Sequence, residues 1–151
     1  MFNIFHNIQP KLSELIPNGF VDIHSHILPG IDDGAKNIDD SVNIINQMRD
    51  LGLSKIVATP HTYPGLYNNT NQTINESLKK LKSNSKLNID GIKIASEYFL
   101  DTSLIEKARS KSILCLNKNY ILVEMSFIGK PINLDEILFE LQINGYKIIL
   151  A

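Results

Sequence analysis

Phe20-Val21-Asp22-Ile23-His24, then Ile38, Val42, Ile45 and Met48 at helical spacing, then Lys55-Ile56-Val57-Ala58-Thr59: this stretch decides the fold class. A short apolar run, an amphipathic helix and a second apolar run read as a strand-helix-strand unit. Asn37 is placed to cap the helix and Gly52 to stop it. Pro60 closes the second strand.

The same pattern repeats outward. Ile74, Leu78 and Leu81 mark a second helix, and Ile92-Lys93-Ile94-Ala95 a third strand. Asp101 can cap a short helix carrying Leu104, Ile105 and Ala108. Tyr120-Ile121-Leu122-Val123-Glu124-Met125 follows as a fourth strand. Asn133 precedes a helix with Ile137, Leu138 and Leu141 that stops near Gly145, and Lys147-Ile148-Ile149-Leu150-Ala151 is a fifth strand. Strands alternating with helices predict an α/β protein with a parallel sheet and right-handed crossovers. Nearly continuous apolar strands predict burial on both faces. A barrel of about eight strands needs about 200 residues or more, so the expectation is roughly the first half of a barrel in a chain cut short at its C-terminus. Residues 1–19 read as an N-terminal segment and 20–151 as the domain.

Composition sets the outer bounds. With 151 residues and 43% hydrophobic content the chain can build one core. Fifteen basic against 16 acidic residues give a net charge of −1, which offers no overall attraction to nucleic acid or anionic lipid. There is no secretory-signal pattern and no run long enough to insert into a membrane. One cysteine, Cys115, suits a reducing compartment, so a cytoplasmic protein is expected. Cys115 itself, among Ile113, Leu114 and Leu116, reads as core. No P-loop, dinucleotide or serine-hydrolase signature occurs.

The ionisable residues fall in a pattern. In parallel α/β folds, sites assemble at the carboxyl ends of strands. His24 and His26 end the first strand, His61 follows the second, Glu97 the third, and Glu124 ends the fourth. His24 and His26, two residues apart, project from one face and can share a cation; imidazole with carboxylate suits zinc, manganese or iron. Asp22 is expected to point the other way and to orient an imidazole from behind. Glu124, inside an apolar run, must find a cation, a hydrogen-bond network or the mouth of the sheet. Glu97 is placed to bridge two metals. The plain alternatives are a surface histidine pair, an ordinary turn histidine at 61, and carboxylates that cap a helix or pair with lysine. Asp32-Asp33-Gly34, after Pro29-Gly30, reads as a tight turn. Tyr63, Tyr67 and Tyr98 read as packing near the mouth, and no role is expected for His6.

Val21-Asp22-Ile23-His24-Ser25-His26-Ile27-Leu28-Pro29-Gly30-Ile31-Asp32-Asp33-Gly34-Ala35 closely resembles the first motif of the CpsB/YwqE-like phosphatases, members of the PHP (polymerase and histidinol phosphatase) group. Thr59-Pro60-His61 resembles their second motif, and Glu97 and Glu124 fall where later family carboxylates stand. The resemblance implies a PHP-type distorted TIM-like β/α barrel with a divalent metal cluster, manganese first and zinc or iron as alternatives. It implies that His24 and His26 bind one metal, that Glu97 bridges to a second joined by Glu124, and that Asp33 and His61 help hold a third. It implies hydrolysis of phosphotyrosine on a bacterial tyrosine kinase that controls capsule or exopolysaccharide synthesis. Homo-oligomers are a further expectation.

The family's His-Pro-Glu-Arg-like motif, which supplies a metal-binding histidine and a phosphate-holding arginine, and its later Asp-x-His motif do not occur in these 151 residues. The catalytic residues are therefore unassigned within the chain, and the chain alone is expected to be inactive and to self-associate through an open strand edge. In the complete enzyme, metals are expected to bind phosphate oxygens, acidify water and stabilise in-line attack on phosphorus. The alternatives are another PHP phosphoesterase, of the histidinol-phosphatase type, or an inactive binding remnant.

Overall fold

The computed structural model describes residues 10–84 and 87–151; His6 lies outside them. In chain order the elements begin with α1 (Leu12–Leu15), β1 (Val21–Ser25), α2 (Ile38–Asp50), β2 (Lys55–Ala58) and β3 (His61–Thr62). They continue with α3 (Asn71–Lys82), β4 (Ile92–Ile94), β5 (Glu97–Phe99) and α4 (Ser103–Arg109). Last come β6 (Tyr120–Glu124), α5 (Leu134–Ile143) and β7 (Lys147–Leu150). All strand pairings within the two sheets are parallel: one sheet runs β1-β2-β4 and the other β3-β5-β6-β7.

Sequence reasoning counts five strands where the described residues form seven, because the second and third each break in two. Pro60 has no N–H to donate and ends β2. The ladder nevertheless continues through the break. Thr59 N–H donates to the Ser25 carbonyl at 2.8 Å, and Ala95 N–H to that of Ala58 at 2.8 Å. One step on, the Glu97 amide and the Ser96 hydroxyl both donate to the Pro60 carbonyl, at 3.1 and 2.9 Å. The breaks lie side by side and join the two sheets along a seam. His61 and Glu97 thereby open short strands of their own, paired in register, where a turn and a strand end were expected.

Two apolar clusters hold the sheets against their helices. Ile27, Leu28, Ile56 and Ala58 pack on Ile45 of α2 and on Ile74, Leu78 and Leu81 of α3. Ile121 and Val123 pack on Leu104, Ile105 and Ala108 of α4 and Ile137 and Leu141 of α5. Half-buried Cys115 packs against this second cluster. Asn37 caps α2 as expected, accepting from the Asp40 amide at 2.9 Å. Asp101 accepts from the amide of Ser103, the first residue of α4, at 2.8 Å. Asn133 makes no side-chain bond to a helix amide.

Burial on both faces holds for β6 but fails for β1. The helices cover one face of β1-β2-β4; on the other, Val21 and Ile23 are each 40% exposed, and a cavity of about 470 Å³ is lined by them with Val57, Lys93 and Leu116. Among the described residues no helix is long and apolar enough to cross a membrane.

Gly91 illustrates how tightly β2 and β4 start together. Its φ is +82°, and a Cβ there would lie 2.2 Å from the Ser54 carbonyl oxygen. Gly91→Ala should cost about 1–3 kcal/mol of stability, read as a lower urea midpoint; an unchanged midpoint would mean this approach is not constrained.

Candidate metal centre

The proposed ligands gather along the seam and at the ends of β1 and β6. His24 lies in β1 and His26 one residue past its end; His61 and Glu97 open β3 and β5; Glu124 ends β6. Asp33 reaches in from the loop after β1. That loop folds back so closely that a Cβ on Gly34 would lie 2.1 Å from the His26 carbonyl oxygen, so only glycine fits there. Ala35 N–H donates to that same carbonyl at 3.1 Å.

Glu97 is the centre of the cluster. Its side chain is 3% exposed, and Oε2 lies 3.0 Å from His24 Nε2, 3.3 Å from His26 Nε2 and 3.2 Å from His61 Nδ1. His61 Nδ1 is also 2.9 Å from Glu124 Oε1, and His61 Nε2 is 3.5 Å from Asp33 Oδ1. Three overlapping groups result: His24, His26 and Glu97; His26, Asp33 and His61; His61, Glu97 and Glu124. All six residues singled out in the sequence are brought together.

The arrangement fits divalent cations on two counts. Donor atoms held about 2.1 Å from one cation stand about 3.0–3.4 Å apart in octahedral or tetrahedral coordination, which is the spacing around Glu97 Oε2. Moreover, His61 Nδ1, Glu97 Oε2 and Glu124 Oε1 are buried with no hydrogen-bond partner, although they face one another. Buried polar atoms are seldom left so. Three orphaned donors converging on one point are what a cation between them would satisfy.

Without a cation, protons take its place. The hydrogen bond to Asp32, and then the close approach of the Glu97 carboxylate, raise the His26 pKa from 6.5 to about 10. Burial pushes the Glu97 carboxyl up, but the close approach and charge of His26 and His24 outweigh it and hold it below the usual range. Glu124 goes the other way, raised by burial more than the neighbouring His61 lowers it.

Two residues depart from the sequence reading. Asp22 accepts the amide of His24 at 3.1 Å and touches no imidazole among the recorded contacts. By two-residue alternation it shares a face with His24, so the expectation that it points away misapplied the period. Asp32, read as a turn residue, is a working part of the site. Its side chain is fully buried, and it accepts from His26 Nδ1 at 2.8 Å, the His61 amide at 3.2 Å and the Gly34 amide at 3.0 Å. The Gly34 bond is the turn that composition foretold; nothing local in sequence signals the other two. Asn69 was also missed. Its amide donates to the carbonyls of Ile31 and His61 at 2.8 Å each. Of the tyrosines, Tyr98 is core, Tyr63 stacks on Phe99 and Tyr67 stacks on His61 with ring centroids 5.3 Å apart.

Residues 20–151 match the family described as capsular polysaccharide synthesis, CpsB/CapC. The chain belongs to the CpsB/CapC family. It is 33% identical over 134 residues to the CapC protein of Staphylococcus aureus, covering 87% of this chain and 52% of that one. It is 31% identical over 136 residues to the tyrosine-protein phosphatase YwqE of Bacillus subtilis, covering 87% and 53%. One solved chain, described under the crystal structures of YwqE from Bacillus subtilis and CpsB from Streptococcus pneumoniae, unique metal-dependent tyrosine phosphatases, matches it with a TM-score of 0.76 at 29% identity, over 87% of this chain and 55% of that one. This CpsB/CapC chain thus spans about half the length of the relatives it matches.

Because His26 must give up its extra proton to bind a cation, metal uptake near neutral pH should release about one proton, with affinity rising about tenfold per pH unit until pH 10 is approached. The metal-free fold carries the opposite dependence. A raised histidine pKa stabilises it fully below pH 6.5, and that contribution is lost as pH rises through about 10. Calorimetric titration with Mn²⁺ in buffers of different ionisation enthalpy measures the released proton; pH-independent binding would contradict the assignment.

Proposed function

We propose that the protein is a metal-dependent protein-tyrosine phosphatase, built on a PHP-type distorted β/α barrel whose first half is residues 20–151. The convergence of orphaned buried donors on shared cation positions carries the reading, and the family membership and the names of the relatives support it. In this reading His24, His26 and Glu97 hold one cation, Glu97 and Glu124 a second, and Asp33 and His61 contribute to a third. Nitrogen and carboxylate donors without thiolate suit manganese, zinc or iron, and the family resemblance puts manganese first. Cations so held polarise phosphoryl oxygens and make water acidic enough to attack phosphorus.

The chain's own residues do the rest. Glu97, beneath the cavity, fixes the spacing between positions and offsets their charge. The cavity, about 330 Å³, is lined by the five residues His24, His26, His61, Glu97 and Glu124 and bordered by Met125 and Phe127. Phe127 is fully exposed at that rim, an apolar ring beside an otherwise charged site. An aromatic phosphate ester presents such a rim with a ring to stack against. That supports phosphotyrosine as substrate; a bacterial tyrosine kinase regulating capsule or exopolysaccharide synthesis as the protein that carries it, and a cytoplasmic location for the phosphatase, complete the proposal. Homo-oligomers belong to the same proposal.

In the intact gene product, H24A/H26A should abolish both Mn²⁺ uptake and phosphotyrosyl-peptide hydrolysis; retained turnover would refute the reading. Histidinol phosphate, assayed in parallel, should be the poorer substrate. F127A should raise KM for the peptide about two- to tenfold with metal affinity unchanged, the size of one aromatic contact.

A further inference from the structure

We infer that Asp32 is a positioning residue that allots His26 to one of two cation positions; the inference rests on the metal-cluster reading above. His26 belongs to two of the three candidate groups and has one ring nitrogen for each. Nε2 faces His24 Nε2 and Glu97 Oε2, both at 3.3 Å. Nδ1 is the nitrogen nearer Asp33, 3.9 Å from its Oδ1. Asp32 Oδ2 lies between these choices, 2.8 Å from Nδ1.

A carboxylate only accepts hydrogen bonds, so the Nδ1 that Asp32 meets carries the hydrogen. A neutral imidazole then has its lone pair on Nε2 alone. His26 can serve the position beside His24 and Glu97 and is withheld from the position beside Asp33 and His61. Asp32 has no freedom to do otherwise. Its other oxygen is held by the Gly34 amide, and Oδ2 also takes the His61 amide, so one buried carboxylate fixes both the ring of His26 and the backbone of β3.

The consequence is an unequal cluster. The position at His24, His26 and Glu97 keeps three ligands from this chain, while the one at Asp33 keeps Asp33 alone undivided, because His61 meets Asp33 through Nε2 and faces Glu97 and Glu124 through Nδ1. The first cation should bind tightly and the one at Asp33 should exchange more freely. Asp32 sets that order without touching either cation.

The test uses the intact gene product and two readouts besides activity. In zinc-loaded protein with ¹⁵N-labelled histidine, His26 should carry hydrogen on Nδ1 and metal on Nε2; metal on Nδ1 overturns the inference. In Mn²⁺ titrations, D32A should weaken the tightest position about 10- to 100-fold, as loss of a ligand-orienting partner does. A folded D32A that binds within twofold of wild type overturns it. If D32A does not fold, D32N decides, since its amide oxygen can still accept from Nδ1. A loss of about two- to tenfold with Nδ1–H retained supports the role; unchanged affinity overturns it. H24A is the control: if it leaves the tightest position unchanged, the ligand reading fails, not the role of Asp32.

Discussion

A carboxylate taken out of water must be answered by positive charge, and in this protein that demand falls on Glu97. Its side chain is almost wholly buried, and the oxygen facing three imidazole nitrogens has no hydrogen-bond partner. An unanswered charge there would cost several kcal/mol. The strands, the seam between the sheets and the loop after β1 all bear on how that cost is met, because His24 and Glu124 come from the first, His61 and Glu97 from the second and Asp33 from the third. Protonated histidine can answer it in the metal-free protein, and divalent cations answer it better, since they satisfy Glu124 and His61 as well.

The seam makes the convergence possible. Pro60 and Ser96 break two neighbouring strands at the same level, and the bonds from Ser96 and Glu97 to the Pro60 carbonyl keep the broken strands in step. His61 and Glu97 therefore stand on hydrogen-bonded backbone in register, not on free loops. Their buried surroundings, including the Thr62–Ser96 hydroxyl contact at 2.7 Å, leave little room for either to swing away.

The sequence carried the periodic features well: the α/β alternation, the helices around Ile45, Leu78 and Leu141, and the ligands at strand ends. These are local signals of period and position. What it hid depends on distant contacts. A proline can end a ladder outright or only interrupt it, and the pairing of β3 with β5 decides that the ladder resumes after Pro60. Asp32 looks like a turn residue because its bond to Gly34 is local, while its bonds to His26 and His61 need the loop to fold back. Burial also misled. Val21 and Ile23 are as apolar as Ile121 and Val123, and the difference in their exposure comes from which face the helices cover.

The division between paired strand and surrounding loop bears on how such a protein changes over time. The donors hang on backbone locked into the two sheets or tied down by Asp32 and Gly34, whereas the rim segment carrying Phe127, Ile128 and Ile132 makes almost no packing contact and exposes those side chains fully. Substitutions in that segment can remodel what the cavity admits at little cost to folding, while changes at the donors disturb both the fold and the chemistry. Selectivity is free to drift along the margin of this site while the inorganic chemistry beneath stays fixed.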